Sequence, residues 1–223
     1  MKIALCLFGN LRQFDLLIPT LQNNVIQPFC PDVFSFVWRN TSEQPVNKFD
    51  RNHPFWNIKN VPKPKKISND YIHSLITKIN PKISLISDYE NPSFEYNPDW
   101  QLPQAYYKNL WAQYQCVKKK QEYENYFGFK YDLVIMSRWD IFYENQIDFE
   151  NKNRVVFPRR FWISGPSDFW MYGPSHLIDL CSSRFEQNNL NYHPNKLLNH
   201  LLEHYNIPHE QIDIPVNLLN RPY

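Results

Sequence analysis

Glycine is scarce in this sequence, which has only four among its 223 residues. Two common nucleotide-binding loops need closely spaced glycines: the GxGxxG turn of dinucleotide-binding domains and the GxxxxGK(S/T) loop of P-loop enzymes. Neither motif occurs here. We therefore expect neither of these two modes of nucleotide binding.

An excess of charge of one sign is also lacking, because the formal net charge is +2. The one basic run, KPKK at 63–66, is short and falls in a polar, proline-rich stretch. Binding to a nucleic-acid backbone normally needs a larger basic surface. We expect no nucleic-acid partner, and any anionic ligand has to be recognised by a local site.

The few cysteines and the short apolar runs exclude further classes. Cys6, Cys30, Cys116 and Cys181 include no CxxC pair, which favours free thiols in a reducing compartment over disulfides or a zinc site. No apolar run approaches the roughly 20 residues of a membrane span. The N-terminal MKIALCLFGN lacks the long apolar region and cleavage site of a signal peptide. We expect a cytoplasmic protein with no transmembrane segment.

The residues that are present predict an ordinary folded domain. Hydrophobic residues make up 43% and charged residues 21%, a composition typical of a chain with a buried core. The length suits one substantial domain covering 1–223. Aromatic residues reach 17%, which can fill a core or line a groove that stacks on sugars or bases.

Strand-like and helix-like segments alternate along the chain. Residues 2–8 are apolar throughout, residues 16–26 have apolar positions near helical spacing, and residues 32–38 are rich in β-formers. Pro19 is predicted in the first turn of that helix. A strand, a helix and a strand within some 40 residues form a βαβ unit, which implies a parallel sheet.

The remaining segments continue the same alternation. The predicted elements are a helix over 69–80 capped by Asn69 or Asp70, a strand over 82–90, a helix over 104–126 whose end KKKQEYEN is solvated, a strand ending at Asp140, a strand over 154–158, a helix over 194–205 and a short final strand within 212–223. We therefore predict an α/β fold in one domain, with a mainly parallel sheet covered by helices on both faces.

Polar residues follow three of the predicted strands. They lie at 8–12, 38–40 and 137–140, and in an open parallel sheet ligands collect at the carboxyl ends of the strands. Gly9 would allow close backbone approach, and Arg12 offers a planar fork for phosphate. The alternatives are a tight turn at Gly9 and a solvated helix start at Arg12.

Asp140 ends a buried strand, where an unpaired carboxylate would be costly. One reading is an internal salt bridge to Arg138 or to another arginine. The other is a ligand for Mg²⁺ or Mn²⁺, held together with the phosphates of a bound nucleotide.

Four motifs in order carry a family resemblance. They are GxLR at 9–12, DVF through Trp38 at 32–38, YDLVIxxRxD at 131–140 and D-x-(F/W)-x-x-G at 168–173. This order resembles GT-A glycosyltransferases, namely the small glycosyltransferase-like proteins of large DNA viruses and bacteria. The resemblance covers most of the chain and implies a GT-A-like, Rossmann-like fold. For a viral source, the expected location is the host cytoplasm.

The resemblance implies a nucleotide-sugar donor, expected to be a UDP-sugar, and a glycan acceptor. The donor-binding residues it implies are Phe8, Gly9, Asn10, Arg12, Arg138 and Asp140. Asp140 stands where the DxD motif of the family lies, but Arg138 replaces its first aspartate. Mn²⁺ or Mg²⁺ would be held by Asp140 with His193; alternatively Arg138 neutralises the diphosphate while Asp140 holds ribose or a water-bridged ion.

Asp168 is the candidate base that takes the proton of the acceptor hydroxyl. Its alternative is a turn aspartate after Gly165-Pro166. Trp162, Trp170 and Tyr172 could stack on a sugar or belong to the core, and we expect the long helix, with Gln104, Tyr107 and Asn109, to face the nucleotide. The other function we predict is a non-catalytic nucleotide- or carbohydrate-binding domain on the same fold.

Overall fold

The described strands form one large sheet and one small sheet. The structure is a computed structural model that describes residues 1–11, 14–39, 68–89, 92–94, 104–150, 153–159, 166–186 and 194–218. The strands are β1 (Ile3–Gly9), β2 (Asp32–Arg39), β3 (Ile83–Asp88), β4 (Leu133–Arg138), β5 (Ile141–Tyr143), β6 (Val155–Pro158), β7 (Trp170–Gly173), β8 (His209–Ile212) and β9 (Val216–Leu218).

Helical segments lie between β1 and β2, between β2 and β3, between β3 and β4, and between β7 and β8. They are α1 (Phe14–Leu21), a π-helical turn (Gln22–Ile26), α2 (Gln27–Phe29), α3 (Asn69–Thr77), α4 (Gln104–Phe127), α5 (Ser175–Ser182), a 3₁₀ turn (Ser183–Phe185) and α6 (Pro194–His204). Strands and helices alternate as far as β4, and the large sheet with its helices confirms the predicted α/β class.

The large sheet has seven strands in the order β3-β2-β1-β4-β7-β6-β8, and β5 pairs separately with β9. β3, β2, β1 and β4 are parallel neighbours, and so are β6 and β8, whereas β7 runs antiparallel to both β4 and β6. The prediction of a mainly parallel sheet is confirmed.

Helices cover both faces of the sheet. Alternate side chains of β1 point to opposite sides, as the strand period of two requires. Leu5 and Leu7 belong to the core layer that contains α1 and α3, whereas Cys6 and Phe8 belong to the layer that contains α4, α5 and α6. Each layer buries apolar surface against the sheet, so both faces are dry and β1 is apolar throughout.

Several local predictions need correction. Pro19 is the sixth residue of α1 rather than part of its first turn; it cannot donate to the carbonyl of Asp15, and a π-helical turn follows at Gln22–Ile26. Ser68 caps α3, because its hydroxyl accepts from the backbone N–H of Tyr71 at 3.2 Å. The C-terminal segment forms two strands, β8 and β9, instead of one.

The end of α4 is only partly solvated as predicted: Lys118, Glu122 and Asn125 are exposed, whereas Lys120 and Glu124 are fully buried. Lys120 donates to Glu124 at 3.1 Å and to Asp179 of α5 at 2.7 Å. All four cysteines are free, as predicted.

Candidate functional site

The order of the strands creates a topological switch point between β1 and β4. From β1 the chain adds β2 and β3 on one side, and β4 then pairs with the other side of β1. In open α/β sheets, the crevice outside the carboxyl ends of the strands at such a point is the usual ligand site. Phe8 of β1 is in register with Arg138 of β4, and the backbone N–H of Trp139 donates to the carbonyl of Phe8 at 3.3 Å. The structure thus brings the 8–10 and 138–140 segments together.

The β1 end of this crevice is open beside Gly9. Gly9 has φ +101°, a conformation that side chains disfavour, and among the residues that the structure describes no heavy atom lies within 4 Å of the position its Cβ would occupy. Oδ1 of Asn10 is buried and accepts no hydrogen bond from the residues that the structure describes. An N–H or O–H group of a bound ligand could donate a hydrogen bond to that oxygen. Arg12 lies outside the described residues.

Arg138 and Asp140 form a two-bond ion pair at the end of β4. Nε of Arg138 donates to Oδ1 of Asp140 at 2.8 Å, and Nη2 donates to Oδ2. The side chains are 21% and 5% exposed, respectively. Trp139, between them in sequence, turns the other way: its indole N–H donates to the carbonyl of Phe36 at 2.9 Å. The internal salt bridge that the sequence allowed is therefore present.

Asp168 lies at the same edge because β7 is antiparallel to β4. The backbone N–H of Arg138 donates to the carbonyl of Phe169 at 3.0 Å, and Ser137 pairs with Trp170 in the ladder. The guanidinium carbon of Arg138 is 5.7 Å from the centre of the Phe169 ring. The start of β7 thereby sets Asp168 next to the end of β4, with 7% of its surface exposed.

Two amide side chains of α4 hold Asp168. Nδ2 of Asn109 donates to Oδ2 of the Asp168 carboxylate at 3.0 Å, and Nε2 of Gln113 donates to its backbone carbonyl at 2.8 Å. Asn109 and Gln113 are four residues apart and so share one face of the helix. Asn109 therefore contacts the candidate base, whereas the expectation that the long helix faces a nucleotide stays a prediction.

Arg184, in the 3₁₀ turn, completes this polar cluster and was not predicted from the sequence. It is 1% exposed, and its Nη2 donates to Oε1 of Gln113. Its Nε and Nη1 have no hydrogen-bond partner in the part of the chain that the structure describes. Burial lowers the pKa of Arg184, and the charges of Asp168 and Cys181 oppose that shift.

The predicted aromatic platform is largely core. Trp170 and Tyr172 are fully buried among the apolar residues of the layer that contains α1 and α3, and Trp170 donates its indole N–H to the hydroxyl of Tyr143 at 3.3 Å. Tyr107 is likewise buried, with Leu110 and Leu197. Of these side chains, none is free to stack on a sugar. Trp162 and the side chain of Gln104 lie outside the described residues.

The described residues do not build a metal centre at this edge. Among them, no group of three or more His, Cys, Asp or Glu side chains could hold a metal ion. Both carboxylate oxygens of Asp140 already accept from Arg138. His193, the other predicted ligand, lies outside the described residues.

The third group of polar residues predicted to bind a ligand follows β2, and its arginine is engaged in an internal salt bridge. Arg39 pairs with Asp88 of β3 at 3.2 Å, while Asn40 lies outside the described residues. The polar side chains that face the switch point therefore come from β1, β4 and the start of β7.

Comparison with known proteins leaves the family open. No protein-family model matches the sequence, and no curated protein matches it significantly. The resemblance to GT-A glycosyltransferases therefore stays a prediction. None of the helices in the described ranges combines the length and the apolar character needed to cross a membrane.

Proposed function

We propose that the protein transfers a sugar from a nucleotide-diphosphate donor, expected to be a UDP-sugar, to a carbohydrate acceptor. The observation that carries this proposal is the convergence of Gly9-Asn10, the Arg138–Asp140 pair and Asp168 on the carboxyl edge of the sheet at its switch point. A sugar-nucleotide transferase needs an anion-binding group, a polar pocket for the nucleoside and a base, and this edge offers one of each.

Arg138 is the group that would bind the diphosphate. A guanidinium has five N–H donors, and the ion pair with Asp140 uses one on Nε and one on Nη2. The remaining donors can bind phosphate oxygens while Asp140 keeps the guanidinium plane fixed. Arg138 would then stabilise the charge that develops on the leaving diphosphate.

Gly9 and Asn10 would receive the nucleoside. The open space beside Gly9 lets a ligand approach the backbone, and the unpartnered Oδ1 of Asn10 would accept from a ribose hydroxyl or a base N–H. Such a buried polar atom allows the site to discriminate between nucleotides, because a nucleotide that leaves the atom without a hydrogen bond binds with lower affinity.

Asp168 would act on the acceptor. In an inverting transfer, its carboxylate takes the proton of the acceptor hydroxyl while that oxygen bonds to the anomeric carbon and the bond to the diphosphate breaks. The hydrogen bond from Asn109 occupies Oδ2. Within the described residues no side chain donates to Oδ1, so that oxygen can receive the proton.

Mn²⁺ or Mg²⁺ would supply additional positive charge for the diphosphate. The described residues do not fit such an ion, because Asp140 is committed to Arg138. A metal requirement would have to involve residues outside the described ranges, such as the predicted ligand His193. We therefore expect donor binding to need Arg138 more than it needs the metal.

The test is a panel of nucleotide sugars incubated with the protein, with Mn²⁺ or with EDTA, followed by detection of the released nucleoside diphosphate. We expect slow hydrolysis of one donor and loss of that hydrolysis in Arg138→Gln, because the diphosphate loses its cation. Asp168→Asn should keep donor binding and lose transfer to an acceptor. The matched control is Asp132→Asn, because Asp132 precedes β4 at the opposite edge of the sheet.

The second candidate is a non-catalytic nucleotide- or carbohydrate-binding domain. The observation that favours it is the salt bridge between Arg138 and Asp140, because it occupies the carboxylate that a metal-dependent transferase would use as a ligand. Saturable binding of a nucleotide sugar, without turnover in any acceptor mixture, would support this function. Absence of both binding and turnover over the whole panel would contradict both candidates.

A further inference from the structure

We infer that Arg184 is a positioning residue, which acts through Gln113 to hold Asp168 in place for proton abstraction. This inference deepens the proposed function and rests on it for the role of Asp168. Its basis is a chain of contacts from Arg184 to the Gln113 side chain and on to the backbone of Asp168.

Arg184 sets the orientation of the Gln113 side-chain amide. Its Nη2 donates to Oε1 of Gln113, so the amide nitrogen faces the carbonyl of Asp168, to which it donates at 2.8 Å. If the amide were turned over, its NH₂ would face the guanidinium and its oxygen would face a carbonyl oxygen. Both contacts would then be repulsive, because guanidinium groups only donate and carbonyls only accept. The orientation of Gln113 is therefore fixed by Arg184.

Asp168 is consequently held at two points from one helix face. Gln113 fixes the backbone, and Asn109 fixes one oxygen of the carboxylate at 3.0 Å. Arg184 donates to Gln113 instead of taking the carboxylate into an ion pair. The other carboxylate oxygen stays available to an acceptor hydroxyl, which is the geometry a base requires.

The burial of Arg184 calls for a functional reason. A guanidinium that is 1% exposed, with Nε and Nη1 unpartnered in the described part of the chain, loses solvation that one hydrogen bond does not replace. A neutral side chain could fill the same space at lower cost. The guanidinium is useful if it fixes the Gln113 amide, because it only donates hydrogen bonds and so permits one orientation of that amide.

The decisive variant is Gln113→Glu. A glutamate accepts from Arg184 at least as well as glutamine does, so a purely structural role of Arg184 would be preserved. It has no N–H to donate to the carbonyl of Asp168 and places an oxygen against it, so the positioning contact becomes repulsive. Its ion pair with Arg184 offsets that cost. We therefore expect the variant to stay folded and its donor Kd to stay close to that of the wild type. The kcat should fall by about 100-fold, as an ångström-scale displacement of a catalytic group causes.

A second measurement does not depend on turnover. Carbon-13 NMR of protein labelled at the aspartate backbone carbonyl follows the chemical shift of the Asp168 carbonyl, which senses the hydrogen bond from Gln113. The signal is assigned by its loss in Asp168→Asn. We expect it to move upfield in Arg184→Met, where the Gln113 amide is no longer fixed, and to return in Arg184→Lys, which restores a donor to Gln113.

The two measurements separate the possible failures. Wild-type protein without transferase activity would defeat the proposed function, whereas the carbonyl NMR signal would still test whether Arg184 acts on Asp168 through Gln113. An unchanged kcat in Gln113→Glu, or the same Asp168 carbonyl signal in Arg184→Met and wild type, would overturn the positioning role. If Arg184→Met fails to fold, Gln113→Glu alone decides the question.

Discussion

Replacing Lys120 by methionine removes the cation at the centre of a buried charge cluster between α4 and α5. Lys120 donates to Glu124 at 3.1 Å, to Asp179 at 2.7 Å and to the hydroxyl of Ser175. Methionine has a similar length, so packing is largely kept and the loss is electrostatic. α4 carries Asn109 and Gln113, and α5 leads into the 3₁₀ turn that holds Arg184. The charge cluster therefore also holds together the two helices that position the polar residues around Asp168.

The size of the effect follows from what remains around the two carboxylates. Breaking a buried ion pair by removing one partner costs about 3–5 kcal/mol. Glu124 would keep Ser175 at 2.7 Å, Lys130 at 3.0 Å and the backbone N–H of Tyr131 at 3.0 Å. Asp179 is 17% exposed and can recruit water. We therefore expect the lower end of that range, a loss of about 3 kcal/mol in the free energy of unfolding.

Urea unfolding measures this loss as a shift of the midpoint at constant slope. The matched control is Lys119→Met, one residue earlier on α4, where the lysine pairs with Glu122 on the partly exposed surface. That variant should lose less than about 1 kcal/mol. Equal, small losses in the two variants would refute the reasoning, because the burial of Lys120 would then carry no energetic weight.

Two further predictions concern backbone strain and pH. Gly9→Ala should lower the free energy of unfolding by about 2 kcal/mol and Gly128→Ala by about 1 kcal/mol in urea titrations. The cause is the positive φ, which is +101° at Gly9 and +68° at Gly128, since no atom of the described residues crowds the added methyl group at either position. A larger loss of stability in Gly128→Ala than in Gly9→Ala would contradict this. Burial raises the pKa of Glu124, but hydrogen bonds from Tyr131 and Ser175 and the charge of Lys120 outweigh it, so the pKa is lowered. The stability that the lowered pKa of Glu124 contributes is present above the ordinary pKa of 4.5 and is lost as pH falls through the lower pKa of the folded protein. The gap in unfolding free energy between wild type and Glu124→Gln should therefore shrink as pH falls below 4.5. A constant gap would argue against a lowered pKa.

The place of the candidate site in the fold could be predicted because it depends on local patterns. The apolar runs of β1 and β4 stop at polar residues, and the alternation of helices and strands makes the sheet parallel, so the two ends had to meet at one edge. Asp168 joins them through the antiparallel β7, a pairing that the sequence does not encode locally.

The partners of the charged residues could not be chosen from the sequence. Asp140 could equally have met a metal ion or Arg138, because both satisfy a carboxylate at the end of a strand. Arg184 and Lys120 follow polar stretches that are typical of exposed helix ends. They are buried only because segments far away in sequence pack over them: Gln113 is 71 residues from Arg184, and Asp179 is 59 residues from Lys120.

The polar face of α4 offered a signal that could have been used. Asn109 and Gln113 interrupt the apolar face of that helix at a spacing of four, while Leu110, Ala112 and Cys116 beside them are fully buried. Two amides at that spacing on a core-facing helix predict a common polar partner, which the structure identifies as Asp168.

A crystal structure of the protein with UDP and Mn²⁺ tests the central claim most directly. The account predicts a diphosphate hydrogen-bonded to the Arg138 side chain, in the crevice outside β1 and β4, with the nucleoside beside Gly9 and Asn10. A diphosphate bound at any other part of the molecule, with the Arg138–Asp140 pair untouched, would contradict it.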